Sequence, residues 1–130
     1  MASEMADIQK LKKGRFVVVD GEPCKIINMS SSAPGKHGHA KYKTDVVGLF
    51  DGQKRSFVKP AGHKIEVPII ERGTAQVLAL IGNTAQLMDL VNYETFELPI
   101  PLFLRGELRE GAEVEYMQAM GRRKIEALKS

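Results

Sequence analysis

The sequence predicts an all-β protein built as two small barrels in series. Three observations lead to this. Short runs of β-branched and apolar residues recur with period two, separated by Asp-Gly, Gly-Asn and other glycine-bearing turns. The second half runs as three strands, one short helical turn and two strands. Between the halves stands Val67-Pro68, where a residue that cannot donate into a sheet ladder suits an edge or a connector. The expected domains are residues 1–68 and 69–130.

In order along the chain, the first seven or so residues are expected to fray. Arg15 to Val19 is a β-branched run, turned by Asp20-Gly21 into a return strand from Pro23 to Met29. Ser30 to Gly38 is small, polar and punctuated by Pro34 and Gly35, which predicts a loop. Alternation resumes from His39 to Val47, with Ala40, Tyr42 and Thr44 on one face. Phe50 to Gln53 is a turn. Arg55–Val58 and Lys64–Val67 are short strands around Lys59-Pro60-Ala61-Gly62. The result is a basic, turn-rich segment the size of a small barrel. Beyond Pro68, Thr74–Ile81 turns at Gly82-Asn83 into Thr84–Leu90, and Thr95–Leu98 follows. Pro99 to Gly106 cannot ladder, and Pro101 is placed to begin a helical turn through Leu102, Phe103 and Leu104. Glu113–Met120 and Lys124–Leu128 finish the chain around a Gly121-Arg122-Arg123 turn. This element order is that of an OB-fold.

Composition narrows the function classes. An apolar fraction of 43% can bury a core. No apolar run reaches the ~20 residues that span a bilayer, and the first residues lack a secretory signal pattern. One cysteine, Cys24, excludes an internal disulfide and points to a reducing, cytoplasmic compartment. Cys24 alternates with Ile26, so a buried, inert thiol is expected. Residues 1–69 carry 12 Lys and Arg against 7 Asp and Glu, a balance of +5, whereas residues 70–130 carry 7 against 9, a balance of −2. The basic front half fits a polyanion partner, or a merely lysine-rich solvated surface.

Chemistry concentrates in the stretch Ser30 to Lys41, which is longer than a hairpin needs. Pro34 stiffens the approach and Gly35 and Gly38 flank Lys36, so an ammonium group is held out in solvent. A phosphate-cradling P-loop fails, because Ser30 stands where Gly is required and His37 where Ser or Thr is required. His37 and His39 could share a face, but two imidazoles fall short of a zinc shell, so no metal is expected. A Schiff-base lysine needs burial or a cationic neighbour to depress its pKa. No paired carboxylates or Ser/His/Asp set accompanies Lys36, so an enzyme is not expected. Two readings stay open on the residues alone: a lysine probe, projected or modified to enter a partner's pocket, and a plain basic hairpin tip.

The run Ser32-Ala33-Pro34-Gly35-Lys36-His37-Gly38-His39-Ala40-Lys41 closely resembles the modification loop of the hypusine-containing translation initiation factor family, initiation factor five-A of archaea and eukaryotes. The Gly-Lys-His-Gly core is highly specific, and the resemblance covers nearly the whole chain, including Lys59-Pro60-Ala61-Gly62. It implies an SH3-like barrel followed by an OB-fold. It also implies that Lys36 is the modified residue: deoxyhypusine synthase transfers the aminobutyl group of spermidine to it, and a hydroxylase completes hypusine where present. No cofactor is implied beyond spermidine as that donor. The implied partners are the ribosome and peptidyl-tRNA, with no membrane, and the implied activity is stimulation of peptide-bond formation at stalling sequences such as proline runs, as in the similar bacterial elongation factor P. Pro34, and a chain ending at Ser130 without an extension, resemble archaeal members; His39 is more like the eukaryotic loop.

Around the loop, Lys41, Lys43, Lys54, Arg55, Arg122, Arg123 and Lys124 are candidate RNA-phosphate contacts. For each, a solvated charge is the plain alternative. Readings from other classes are a single-stranded RNA-binding OB-fold acting without the ribosome, and a lysine-presenting enzyme subunit. The first calls for stacking aromatics; the second half offers only Tyr93, Phe96, Phe103 and Tyr116 and no excess positive charge, which counts against it.

Overall fold

A computed structural model describes residues 3–32 and 40–129. The chain divides into two compact units, Met1–Ile69 and Ile70–Ser130. Among the described residues no helix is long and apolar enough to cross a membrane.

In the first unit, β2 (Phe16–Val19), β3 (Glu22–Ser32), β4 (Lys41–Gly48) and β5 (Lys54–Pro60) form one antiparallel sheet in that order. A separate ribbon pairs β1 (Ser3–Asp7) with β6 (Lys64–Pro68), from Ser3↔Pro68 to Asp7↔Lys64. The curled sheet makes an SH3-like half-barrel. Its core is Ile8, Val17, Cys24, Ile26, Val46 and Ile65. Full burial of one such aliphatic side chain is worth about 1.5–3 kcal/mol. Asp20 and Gly21, at φ 53° and 76°, form the two-residue hairpin turn that Asp-Gly predicts.

Three expectations need correction here. The first residues do not all fray: Ser3–Asp7 is strand, held by β6 and by an ion pair of Asp7 Oδ1 with Lys64 Nζ at 2.8 Å. Ile8, in the 3₁₀ turn Ile8–Lys10 that follows, is fully buried and anchors this edge. Ser30, Ser31 and Ser32 are not loop: they continue β3 and pair with Lys43, Tyr42 and Lys41. Serine's turn preference is local, and a partner strand with open ladder positions overrides it. Lys59 and Pro60 likewise belong to β5.

In the second unit five strands pair in the order β11-β10-β7-β8-β9, with β7 Glu71–Ile81, β8 Thr84–Asp89, β9 Thr95–Pro99, β10 Glu113–Ala119 and β11 Arg122–Leu128. A 3₁₀ turn, Leu102–Leu104, follows Pro101 between β9 and β10, and Leu104 is buried beneath it. This is the OB-fold that the element order predicts. The β9 ladder runs on through Pro99↔Thr84 and Ile100 N–H to Asn83 O at 2.7 Å, so the non-laddering stretch begins later than expected. The last hairpin turns at Met120 (φ 51°) and Gly121 (φ 80°) alone, which places Arg122 and Arg123 in β11 and not in the turn.

Candidate functional site

The β3–β4 hairpin positions the segment that carries the sequence's chemistry. Its arms are closed by the pairs Ser30↔Lys43, Ser31↔Tyr42 and Ser32↔Lys41. Ala40 O accepts from Ala61 N–H at 2.8 Å, so the base of the hairpin is tied to the turn after β5. That turn is tied in its own right: Gly62 N–H donates to Gln9 Oε1 at 2.5 Å, and Ile8 N–H donates to His63 O at 2.9 Å. Both ends of the segment 33–39 are therefore anchored in the sheet. Pro34, Gly35, Lys36, His37, Gly38 and His39 themselves lie outside the described residues.

The sheet sorts the candidate cations. Along β4, Thr44 and Val46 point into the core while Lys41 and Lys43 are exposed. Lys54 is exposed on β5 opposite Val47, and Val47 is also the partner of exposed Lys25 on β3. Lys25, Lys41, Lys43 and Lys54 thus share the outer face of one sheet. Lys25 was not among the sequence candidates, although its place between buried Cys24 and Ile26 carries the signal.

Arg55 does not join that face. Its guanidinium is forked onto Asp51, Nη2 to Oδ2 at 2.8 Å and Nη1 to Oδ1 at 3.3 Å, and its Nε lies 3.8 Å from Asp20. It braces the Asp20-Gly21 turn against the turn after β4. A Cβ on Gly48 would stand 1.9 Å from Asp51 Oδ1, so glycine makes this arrangement possible. The Asp51 hydrogen bond is the main influence raising the Arg55 pKa. Cys24 is fully buried as expected, and burial pushes its thiol pKa up despite nearby Arg55.

Arg123 is likewise engaged inside its unit. Its Nη2 donates to both oxygens of Glu94 at 3.0 and 3.1 Å, its Nε donates to Gln118 at 2.9 Å, and its Cζ lies 4.4 Å from the Phe96 ring centroid. Arg122 and Lys124 also have interactions within the molecule. The cations read as one class thus divide: exposed Lys41, Lys43 and Lys54 on the first unit's sheet, and Arg55, Arg122, Arg123 and Lys124, which are engaged within the molecule. Phe96 packs edge-on to Tyr116 with centroids 5.0 Å apart, and the Tyr116 hydroxyl donates to buried Asp89. Those two aromatics belong to the core region, leaving Tyr93 and Phe103 exposed. Among the described residues no group of three or more His, Cys, Asp or Glu could hold a metal ion.

Comparison with known proteins bears on both units. Residues 3–63 match the family model described as translation initiation factor 5A-like, N-terminal, and residues 69–129 match that described as eukaryotic elongation factor 5A hypusine, DNA-binding OB fold. The chain is 54% identical over 125 residues to translation initiation factor 5A of Methanothermobacter thermautotrophicus, covering 96% of each chain. It is 50% identical over 125 residues to that of Archaeoglobus fulgidus, covering 96% of this chain and 98% of the other. Among solved structures, eukaryotic translation initiation factor 5A from Methanococcus jannaschii superposes with a TM-score of 0.92 at 46% identity, covering 98% of this chain and 96% of that one.

Proposed function

The chain belongs to the translation initiation factor 5A family, and on that premise we propose that it binds the ribosome and promotes peptide-bond formation at stalling sequences such as proline runs, using Lys36 in modified form. The modification is transfer of an aminobutyl group from spermidine by deoxyhypusine synthase. One C–N bond of spermidine breaks and one forms at Lys36 Nζ, with diaminopropane as the second product. The extended side chain has two amines on a thin stem, suited to lie beside an RNA backbone near the acceptor end of peptidyl-tRNA. The factor makes no covalent bond to the substrate; it orients a tRNA end so that the ribosome's own reaction proceeds.

The observation that supports this reading is the closed hairpin, Ser32↔Lys41 with Ala40 tied to Ala61, which fixes both ends of the segment 33–39 on a sheet with a lysine-bearing face. The test is a reconstituted translation system with a proline-run message, supplied with the protein before and after treatment with deoxyhypusine synthase and spermidine. Relief of stalling by the treated protein alone is expected. Equal activity of the untreated protein, or none from either, overturns the proposal.

A further inference from the structure

Beneath the hairpin lies a cleft of ≈ 360 Å³, lined by Leu11, Lys12, Lys13, Met29, Ser30, Ser31 and Tyr42. Its volume is at the small end of ligand sites. The floor is apolar, because Leu11, Met29 and Tyr42 are half-buried against the first unit's core. The rim is cationic, and no carboxylate is among its lining residues. Lys12 and Lys13 are exposed, and no ion pair engages either among the described residues.

The rim is held in place by backbone bonds. Arg15 N–H donates to Lys12 O at 3.0 Å across a turn with Gly14 at φ 94°. Gly14 N–H donates to Ile26 O at 2.9 Å, and Ile26 N–H donates to Arg15 O at 2.8 Å. The turn is thus pinned to β3, on the same barrel that supplies Met29, Ser30 and Ser31. An aromatic wall, a soft thioether floor, the Ser31 hydroxyl on the same face as Tyr42 and two cations on a pinned turn match the parts of one nucleotide: base, ribose and phosphate.

We propose that this cleft is a nucleotide subsite, in which the base of an unpaired RNA residue lies against Tyr42 and Met29 and its phosphate is held by Lys12 and Lys13. The subsite rests on the reading above only in taking RNA as the occupant. Tyr42 pairs with Ser31 one step from the end of the hairpin, so an RNA strand held here is registered next to the segment that bears Lys36. The outer-face lysines add position without selectivity; the Tyr42 wall adds a preference for unstacked bases.

The test measures fluorescence anisotropy of the full chain with a labelled RNA hairpin carrying a single-stranded 3′ tail. The proteins are wild type, Lys12→Glu/Lys13→Glu, Tyr42→Leu, Tyr42→Phe and, as a charge control on the second unit, Arg105→Glu. The lysine pair is expected to weaken binding at least tenfold and to reduce the salt slope by roughly 1.5–2. Tyr42→Leu is expected to weaken binding by about 5- to 100-fold. Tyr42→Phe, which keeps the ring, and Arg105→Glu should stay within about twofold of wild type. Thermal melts check that each variant folds. If Tyr42→Leu does not fold, ultraviolet cross-linking of wild type to the same RNA replaces it, with the cross-link expected on Tyr42 and a cross-link only elsewhere counting against the subsite. Binding by Tyr42→Leu equal to wild type, or equal competition by polyglutamate and by RNA, means a bare polyanion surface and overturns the proposal. These outcomes are independent of the stalling assay: a treated protein that relieves stalling while Tyr42→Leu binds RNA normally leaves the factor's role standing and removes only the subsite.

Discussion

The Arg123 guanidinium lies over the Phe96 ring, 4.4 Å from its centroid, and joins β11 to β9, the two edges of the five-stranded sheet. Its bonds to Glu94 lie just before β9 and its bond to Gln118 lies on β10. One side chain therefore reaches across the seam between the two edge strands. With its side chain 23% exposed, solvent screens part of the ion pair. The cation–π contact and the fixed fork add to what remains. Arg123→Ala is expected to destabilise the protein by about 1–2 kcal/mol in denaturant unfolding, with Arg123→Lys recovering only part of the loss. RNA affinity should fall by less than twofold. An unchanged unfolding midpoint with a large loss of RNA binding would return Arg123 to the class of phosphate contacts.

Gly73 and Tyr116 make a second tight relationship. A Cβ on Gly73 would stand 2.8 Å from Cε1 and Cζ of the Tyr116 ring. The ring cannot yield freely, since it packs on Phe96 and its hydroxyl is bonded to Asp89. Asp89 in turn accepts from the N–H groups of Val91 and Asn92 at 2.8 and 3.0 Å, holding the turn in which Tyr93 sits at φ 62°. Gly73→Ala is expected to cost about 1–3 kcal/mol in the same unfolding measurement. A neutral result would mean that the ring has room the geometry does not show.

The Asp89–Tyr116 pair also sets a pH window. The Tyr116 hydrogen bond, followed by the Asn92 and Val91 N–H groups, lowers the Asp89 pKa, so its contribution is present above the unfolded carboxylate range near ~4 and is lost as pH falls through the folded value. Burial, then Asp89, pushes the Tyr116 pKa up to about 12, so its contribution is complete below the unfolded value of ~10 and is lost as pH rises from there toward 12. Stability should be flat between these limits as far as this pair is concerned. Tyr116→Phe is expected to flatten the alkaline fall; an identical alkaline profile in Tyr116→Phe and wild type would assign that fall to other groups.

Cys24 supplies a reporter for the first unit. It is fully buried, and burial raises its thiol pKa. The native protein at pH 8 is expected to react with a thiol reagent at least 100-fold more slowly than the unfolded chain, because both access and thiolate fraction are reduced. Rapid reaction of the native protein would show that β3 opens locally.

The sequence carried much of this and missed the rest for physical reasons. Asp20-Gly21 is a hairpin because its φ values demand what those residues supply, and Pro101 begins a 3₁₀ turn for a similarly local cause. Ser3–Asp7 and Ser30–Ser32 are strands only because β6 and β4 offer partners, and such pairing is invisible to local pattern. Charge type alone could not separate Lys43, on an outer face, from Arg55, which Asp51 had already claimed. That distinction needs the turn that brings Asp51 round, four residues away in sequence, with Gly48 making space. Lys36 is singled out from its neighbours in the sequence by Pro34, Gly35 and Gly38 around it.

Lys36→Arg separates binding from activity. Binding is assigned to many dispersed contacts, among them Lys25, Lys41, Lys43 and Lys54 on the outer face of the first sheet. Activity is assigned to one extended amine. Arginine at position 36 preserves a positive charge, but its guanidinium does not accept the aminobutyl group in this reaction. Removing one contact among several should alter ribosome affinity by no more than about 1 kcal/mol, or roughly fivefold. Loss of the group proposed to reach the tRNA end should remove nearly all of the rate effect. The measurement is stalling relief on a proline-run message after synthase treatment, with ribosome affinity determined in parallel by sedimentation. Full relief by the Lys36→Arg protein would dismiss the role given to this lysine. Failure to bind the ribosome at all would dismiss the division of labour, since a single loop side chain would then be carrying affinity that the four outer-face lysines were expected to supply.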